Sequence, residues 1–240
     1  GFQRLRPSTP GGSCGRSLEA FLLSLGVSVV GFSKPEAEGL EKTPYAVTLV
    51  VRLSNAIVDE IEGEPTSTYF SHYRAVNAFL DQCLLKAGLF LDRAGYQYIT
   101  VAASQSMNQK GLELVRASIS HKQAACAAGL GVIGKAPYFS IIGLAPASGW
   151  PHYSPTAPFL WKTRFQPLSA AAAAKCVDSC PQARFSARNG SLVCLGSCFL
   201  IRKKCSQHMK RQYQHIGRGA VCGICMRVCP RYERSVIRWE

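Results

Sequence analysis

Hydrophobic positions first recur at helical spacing in Ser17–Gly26 (SLEAFLLSLG), where a serine can cap the start and a glycine ends the run. Two β-branched runs follow, Val27–Phe32 (VSVVGF) and Tyr45–Leu53 (YAVTLVVRL), and their flanking turn residues predict buried strands. From Ser71 to Arg93 the residues Val76, Phe79, Leu80, Cys83, Leu84 and Ala87 fall along one face, which predicts a long amphipathic helix stopped by Gly95. Tyr96–Ala103 (YQYITVAA) predicts a further strand. Strands and helices in this order argue for a layered, sandwich-like α/β domain. Residues 1–16, rich in Gly, Pro, Ser and Arg without periodicity, read as a loose leader. Ala136–Ala174 hold aromatic-proline clusters, a run of five alanines and no acidic residue, and they match no regular element. Residues 182–204 are equally featureless, and compact signals return at Cys205.

At 240 residues and 47% hydrophobic content the chain can bury a core of its own, which excludes a disordered chain and a disulfide-stapled miniprotein. No charge-free, proline-free apolar run reaches the ~18 residues of a membrane span. The chain opens at Gly1 without a basic leader and apolar core, so the expected compartment is the cytoplasm. Charge is divided unevenly: 10 basic residues face 11 acidic ones up to Glu113, and 18 face 3 from Leu114 onward. A basic half suits a polyanion such as RNA, and equally suits the charge of clustered thiolates and inorganic clusters.

Of the 11 cysteines, Cys14, Cys83 and Cys126 precede the last third, where they suit small core or surface positions, and the other eight lie between Cys176 and Cys229. Cys222-Gly-Ile-Cys225-Met-Arg-Val-Cys229-Pro230 reads C-x2-C-x3-C-P, Cys176-Val-Asp-Ser-Cys180-Pro181 reads C-x3-C-P, and Cys205 stands between them. A cubane needs four converging thiolates, and short spacings let one tight loop supply several, with proline stopping the loop. Four cysteines also suit tetrahedral zinc, although zinc knuckles are usually paired C-x2-C units without the Cys-Pro ending. A second motif, SHKQAACAAGLGVIGK from Ser120 to Lys135, runs a small-residue helix into a glycine turn whose amides can approach a ligand closely. His121, Gly129, Gly131, Gly134 and Lys135 are its cofactor-binding candidates.

These two motifs, with QHIGRGAVCGICMRVCP near the C-terminus and the stretch YAVTLVVRLSNAIVDEIEGEPTSTYFSHYRAVNAFLDQ, make the chain resemble the epoxyqueuosine reductase-like iron-sulfur proteins, relatives of corrinoid-dependent reductive dehalogenases. The resemblance covers nearly all of residues 17–232. It implies an α+β fold in which an N-terminal α/β layered domain (17–168) able to hold a corrinoid precedes a C-terminal ferredoxin-like module (169–240) with two [4Fe-4S] clusters. By that resemblance Cys180, Cys205, Cys222 and Cys225 hold one cluster, while Cys176 and Cys229 belong to the other. The family's two remaining ligands fall at positions 170 and 173, where this chain has Ala170 and Ala173, which cannot ligate iron.

A shifted reading frame would explain this departure, with a diverged loop region as the alternative. Trp150-Pro-His-Tyr-Ser-Pro-Thr156, read two nucleotides later, permits Ala-Thr-Leu-Leu-Thr-Asp, a strand the family carries at this place. The same shift lets the alanine run encode Cys-Gly-Arg-Cys at 170–173, and lets Thr-Gly-Ala-Ile follow Pro181. Residues from about 136 to 174 and from 182 to about 203 therefore read as out-of-frame translation, which makes Cys194 and Cys198 accidental and accounts for six basic residues.

The family's proton-donating carboxylic acid belongs to the segment here reading Ala102-Ala103-Ser104-Gln105-Ser106, which has no Asp; His121 or Tyr73 could take its place. The catalytic residue is thus left open. The leading expectation is an oxidoreductase in which clusters relay single electrons from a reduced donor protein to a corrinoid or to a substrate, a tRNA or small molecule. A non-enzymatic ferredoxin-type carrier and an RNA-binding module are the alternatives. The encoding DNA tests the frame: we expect codons compatible with every shifted residue, and a single incompatible codon at 150–156 or 170–173 refutes the out-of-frame reading.

Overall fold

The computed structural model describes residues 12–34, 43–103, 121–133, 139–141, 148–153, 178–181, 205–219 and 221–228. These fall into two compact units. The first takes those within Gly1–Val51, Val76–Leu130 and Ala147–Phe165, and the second those within Arg52–Ala75, Gly131–Pro146 and Gln166–Glu240. The fold mixes helices with small antiparallel sheets. Among the described residues no helix is long and apolar enough to cross a membrane.

The first unit begins with helix α1 (Gly12–Ser24). It starts five residues before the expected Ser17, so part of the supposed leader is helical, and Gly15 is buried within it. Leu18 and Leu22 of α1 are fully buried. The helix ends as expected at Gly26, whose N–H bonds the Leu23 carbonyl at 3.0 Å while the Val27 N–H reaches Leu22 at 3.3 Å. Strands β1 (Val29–Ser33) and β2 (Tyr45–Val50) then pair antiparallel, Gly31 opposite Thr48. Helix α2 (Asn55–Asp59) intervenes before the long helix α3 (Ser67–Arg93), and β3 (Tyr98–Val101) follows. Val76, Leu80, Cys83, Leu84, Ala87 and Leu91 of α3 are buried, so the predicted apolar face is the core face. Phe21 of α1 stacks on Phe90 of α3, ring centroids 5.4 Å apart.

Helix α4 (His121–Ala127) lies against β1 and β2, where only small side chains leave room for it. Ala46 and Ala124 form a buried cluster with Val101 packed on it. A Cβ on Gly31 would stand 2.7 Å from Cδ1 of Leu130 and 2.8 Å from Cβ of Ala128. The opposite face of the same strands carries Val30, Val47 and Leu49, all buried. Alternation along the strand thus sends small residues toward α4 and large ones into the other side of the core.

The sheet order is β1-β2-β6-β3, with β6 (Ser148–Tyr153) antiparallel to both neighbours. This corrects the expectation that Ala136–Ala174 hold no regular element: β6 is a central strand, and β5 (Phe139–Ile141) pairs with β4 (Gly131–Ile133) as a hairpin in the second unit. The β6 backbone is nonetheless a poor strand former. It pairs with β2 through Tyr153, His152, Gly149 and Ser148, and the ladder skips the positions of Trp150 and Pro151. Proline has no N–H to give a ladder, and is normally confined to edge strands and bulges.

In the second unit, α3 starts at Ser67, four residues before the expected Ser71, because Thr66 caps it. The Tyr69 N–H donates to Thr66 Oγ1 at 3.1 Å, and the Thr66 hydroxyl donates to Glu60 Oε2 at 3.1 Å. The Ser54 N–H, ahead of α2, donates to Nε2 of His72 on α3 at 3.0 Å. Helical residues 205–212, α5, and helix α6 (Ile224–Arg227) complete the described elements. Replacing His72 by Ala leaves the part-buried Ser54 N–H without its acceptor, so we expect a loss of about 1–3 kcal/mol in urea unfolding. A Gly31→Ala variant should also lower the midpoint, through its clash with Ala128 and Leu130.

Candidate metal centre

Four cysteines of the second unit are described: Cys180, Cys205 at the start of α5, Cys222, and Cys225 within α6. Cys222 is buried, and the other three are partly buried. Burial pushes the Cys222 thiol up to about 11; the Ile224 backbone N–H that bonds it acts in the opposite direction, and nearby Cys205 and Cys180 raise it further. Tyr213, on the turn after α5, is buried and pushed up to about 12, first by burial and then by Cys222, Glu64 and Cys180. Cys180 and Cys205, far from Cys222 in sequence, are therefore both its neighbours, and Cys180 and Cys222 also lie near Tyr213. The His208 ring meets Tyr213 edge-on at 5.4 Å and 87°.

Cys222 and Cys225 flank a turn that depends on Gly223. Its φ of +78° is strained for any L side chain, and a Cβ there would come 2.7 Å from Cδ1 of Ile61 and 2.8 Å from Cζ of Tyr69. Beyond the turn, Nε of Arg227 lies 3.2 Å from Oδ1 of Asp59 on α2, which ties α6 to that helix. Upstream, a Cβ on Gly217 would run into the ring of Phe70. Asp59, Ile61, Tyr69 and Phe70 were not among the residues that the motifs singled out. The only local signals for them are the glycines at 217 and 223, which mark places where another part of the chain comes close.

Four thiols suit either a tetrahedral zinc, with Zn–S bonds of ~2.3 Å, or a cubane, which takes one thiolate at each of four iron corners. Among the described residues no three His, Cys, Asp or Glu side chains group to hold one metal ion. Either centre binds thiolates, so the buried Cys222, whose thiol is pushed up, would need a cationic partner to ionise at neutral pH.

The glycine turn is occupied by its own helix. The Gly129 N–H bonds the Cys126 carbonyl at 2.9 Å and the Leu130 N–H bonds Ala125 at 2.9 Å, so Gly129, at φ +70°, closes α4 just as Gly26 closes α1. These two amides are engaged within the helix end. His121 and Gly129 stand at opposite ends of α4, and Gly131 opens β4 in the second unit. Tyr73 is 6.3 Å from Tyr69, ring to ring, in the second unit. Gly134, Lys135, Cys176, Cys229, Ala170 and Ala173 lie outside the described residues, as does the segment 104–106. Cys83 is a core residue, its thiol raised by burial.

No protein-family model matches the chain, and neither does any curated protein. Among solved structures, a catabolic reductive dehalogenase, NpRdhA, superposes with a TM-score of 0.70 at 17% identity, over 95% of this chain and 33% of that one. An epoxyqueuosine reductase in complex with a tRNA-Tyr stem loop gives 0.59 at 15%, over 92% of this chain and 65% of its own, and the Streptococcus thermophilus enzyme gives 0.55 at 12%. The chain thus has the fold of the reductive dehalogenases and epoxyqueuosine reductases, as its motifs led us to expect. It spans about a third of the dehalogenase and about two thirds of the reductases.

The pH dependence of the metal-free chain follows from Cys222. Its folded pKa of about 11 lies above the ordinary 9.0, so the stability that it contributes is full below pH 9 and is lost as pH rises toward 11. Urea unfolding at pH 8 and pH 10.5 should show this loss in the wild type and a smaller one in Cys222→Ala.

Proposed function

We propose that the chain is an iron-sulfur protein of the oxidoreductase type, which holds a [4Fe-4S] cluster on Cys180, Cys205, Cys222 and Cys225 and passes single electrons from a reduced donor protein. The observation that carries this reading is the nearness of both Cys180 and Cys205 to the buried Cys222. The cluster, when bound, supplies one-electron chemistry. The chain's own contribution is to hold the turn through Gly223, donate the Ile224 N–H to the Cys222 sulfur, and limit water at Cys222 by burial. The C-terminal segments form the ferredoxin-like module of this reading, and the first unit's sheet and helices the α/β layer. The shared fold with reductases supports the enzymatic reading.

A second reading, an electron carrier without turnover of its own, is favoured by two observations. The described amides of the glycine turn are engaged at the end of α4, and Ala102-Ala103 open the segment where the family carries its acid. We further propose that the out-of-frame segments account for the loss of the second cluster's ligands at Ala170 and Ala173. The mismatch of Pro151 with a central strand supports this.

Iron and acid-labile sulfide per chain, measured after anaerobic reconstitution with EPR of the reduced sample, test these readings. About four irons per chain are expected, falling to near none in Cys222→Ser or Cys205→Ser and unchanged in Cys14→Ser. About eight would show that the second cluster forms without cysteines at 170 and 173. One zinc in place of iron would overturn the cluster reading.

A further inference from the structure

The turn that carries Cys222 and Cys225 is seated on side chains from the opposite end of the sequence. Tyr69 is 3% exposed, with Cζ and the hydroxyl oxygen 2.8 and 2.9 Å from where a Cβ of residue 223 would stand. Ile61, 4% exposed, completes the seat at 2.7 Å. The tyrosine has little freedom to move. Its N–H is held by Thr66, its ring lies beside that of Tyr73, and its helix is capped through the Thr66 bond to Glu60. At the far side of the turn, Arg227 is held by Asp59. Residues of α2, of the loop after it and of α3 thus fix the turn from two sides, and the Tyr69 ring lies against Gly223, one of the two residues between the cysteines.

We infer that Tyr69 is a positioning residue for the cysteine site: its ring seats the Cys222–Cys225 turn from behind Gly223. That the turn serves a cluster rests on the cluster reading above. Gly223 has no side chain to fill the space behind the turn, and the Tyr69 ring fills it. Tyr69→Phe keeps the ring and therefore the seat. Removing the ring leaves the space above Gly223 empty, so the turn is no longer braced and its cysteines become more accessible. A tyrosine that merely filled the core would change stability without changing how far Cys222 is exposed in the folded chain.

The experiment compares the full chain with Tyr69→Phe and Tyr69→Leu. Each is reconstituted anaerobically and its iron is counted. In parallel, the iron-free chains are treated with iodoacetamide and the labelling rate of Cys222 is read by mass spectrometry. Tyr69→Phe should keep the wild-type iron content and labelling rate. Tyr69→Leu should bind less iron and label Cys222 several-fold faster. Equal labelling rates in Tyr69→Leu and the wild type overturn the seat, and so does Tyr69→Phe labelling as fast as Tyr69→Leu. If circular dichroism shows Tyr69→Leu unfolded, Tyr69→Met takes its place with the same two outcomes. If the wild type itself takes up no iron, the cluster reading fails, and the labelling arm still decides whether Tyr69 seats the turn.

Discussion

The close approach of Gly223 to Ile61 and Tyr69 is the constraint on which the cysteine site depends. The turn between Cys222 and Cys225 bends sharply, at a positive φ with no room for a side chain. The wall behind it comes from the loop after α2 and the first turn of α3, while Asp59 on α2 holds Arg227 beyond it. Thr66 matters for the same reason. By capping α3 it sets where the helix begins, and so where Tyr69 and Phe70 stand relative to Gly223 and Gly217. The residues between Arg52 and Ala75 thereby belong with the cysteines, although the chain separates them by more than a hundred residues.

The first unit is organised by side-chain size. Gly31, Ala46 and Ala124 let α4 come close to the sheet, while Val47, Leu49 and the leucines of α1 and α3 fill the other side. The SHKQAACAAGLGVIGK motif therefore has a packing explanation over its described part. Its alanines are small because β1 and β2 are near, and Gly129 closes the helix. Both facts are independent of any ligand. The candidate chemistry of the described residues accordingly rests on the thiols, of which Cys180 and Cys205 lie near the buried Cys222.

The β6 strand joins the two lines of reasoning. Its place between β2 and β3 makes it indispensable to the sheet, yet Gly149 and Pro151 are poor residues for a central strand. A fold normally shows local preference and global position in agreement. The disagreement here coincides with the stretch where the codons permit a regular β sequence in another frame.

Local chemistry was legible from the sequence. The periodicity along α3, the glycine stops at 26 and 95, the β-branched runs of β1 and β2, and the cysteine spacings that suggest a metal site each depend on neighbours in the chain. The elements that sequence reasoning misplaced had their causes elsewhere. Helix α3 begins earlier because Thr66 caps it by accepting the Tyr69 N–H, and β6 is a strand because two others flank it. Tyr69, Ile61, Phe70 and Asp59 were invisible as site residues because nothing in a tyrosine or an aspartate at those positions refers to a glycine at 223 or an arginine at 227. Donor chemistry and spacing were determined by the sequence itself. Which distant surface closes over that turn was decided by tertiary packing, because excluded volume acts between residues that share space rather than sequence.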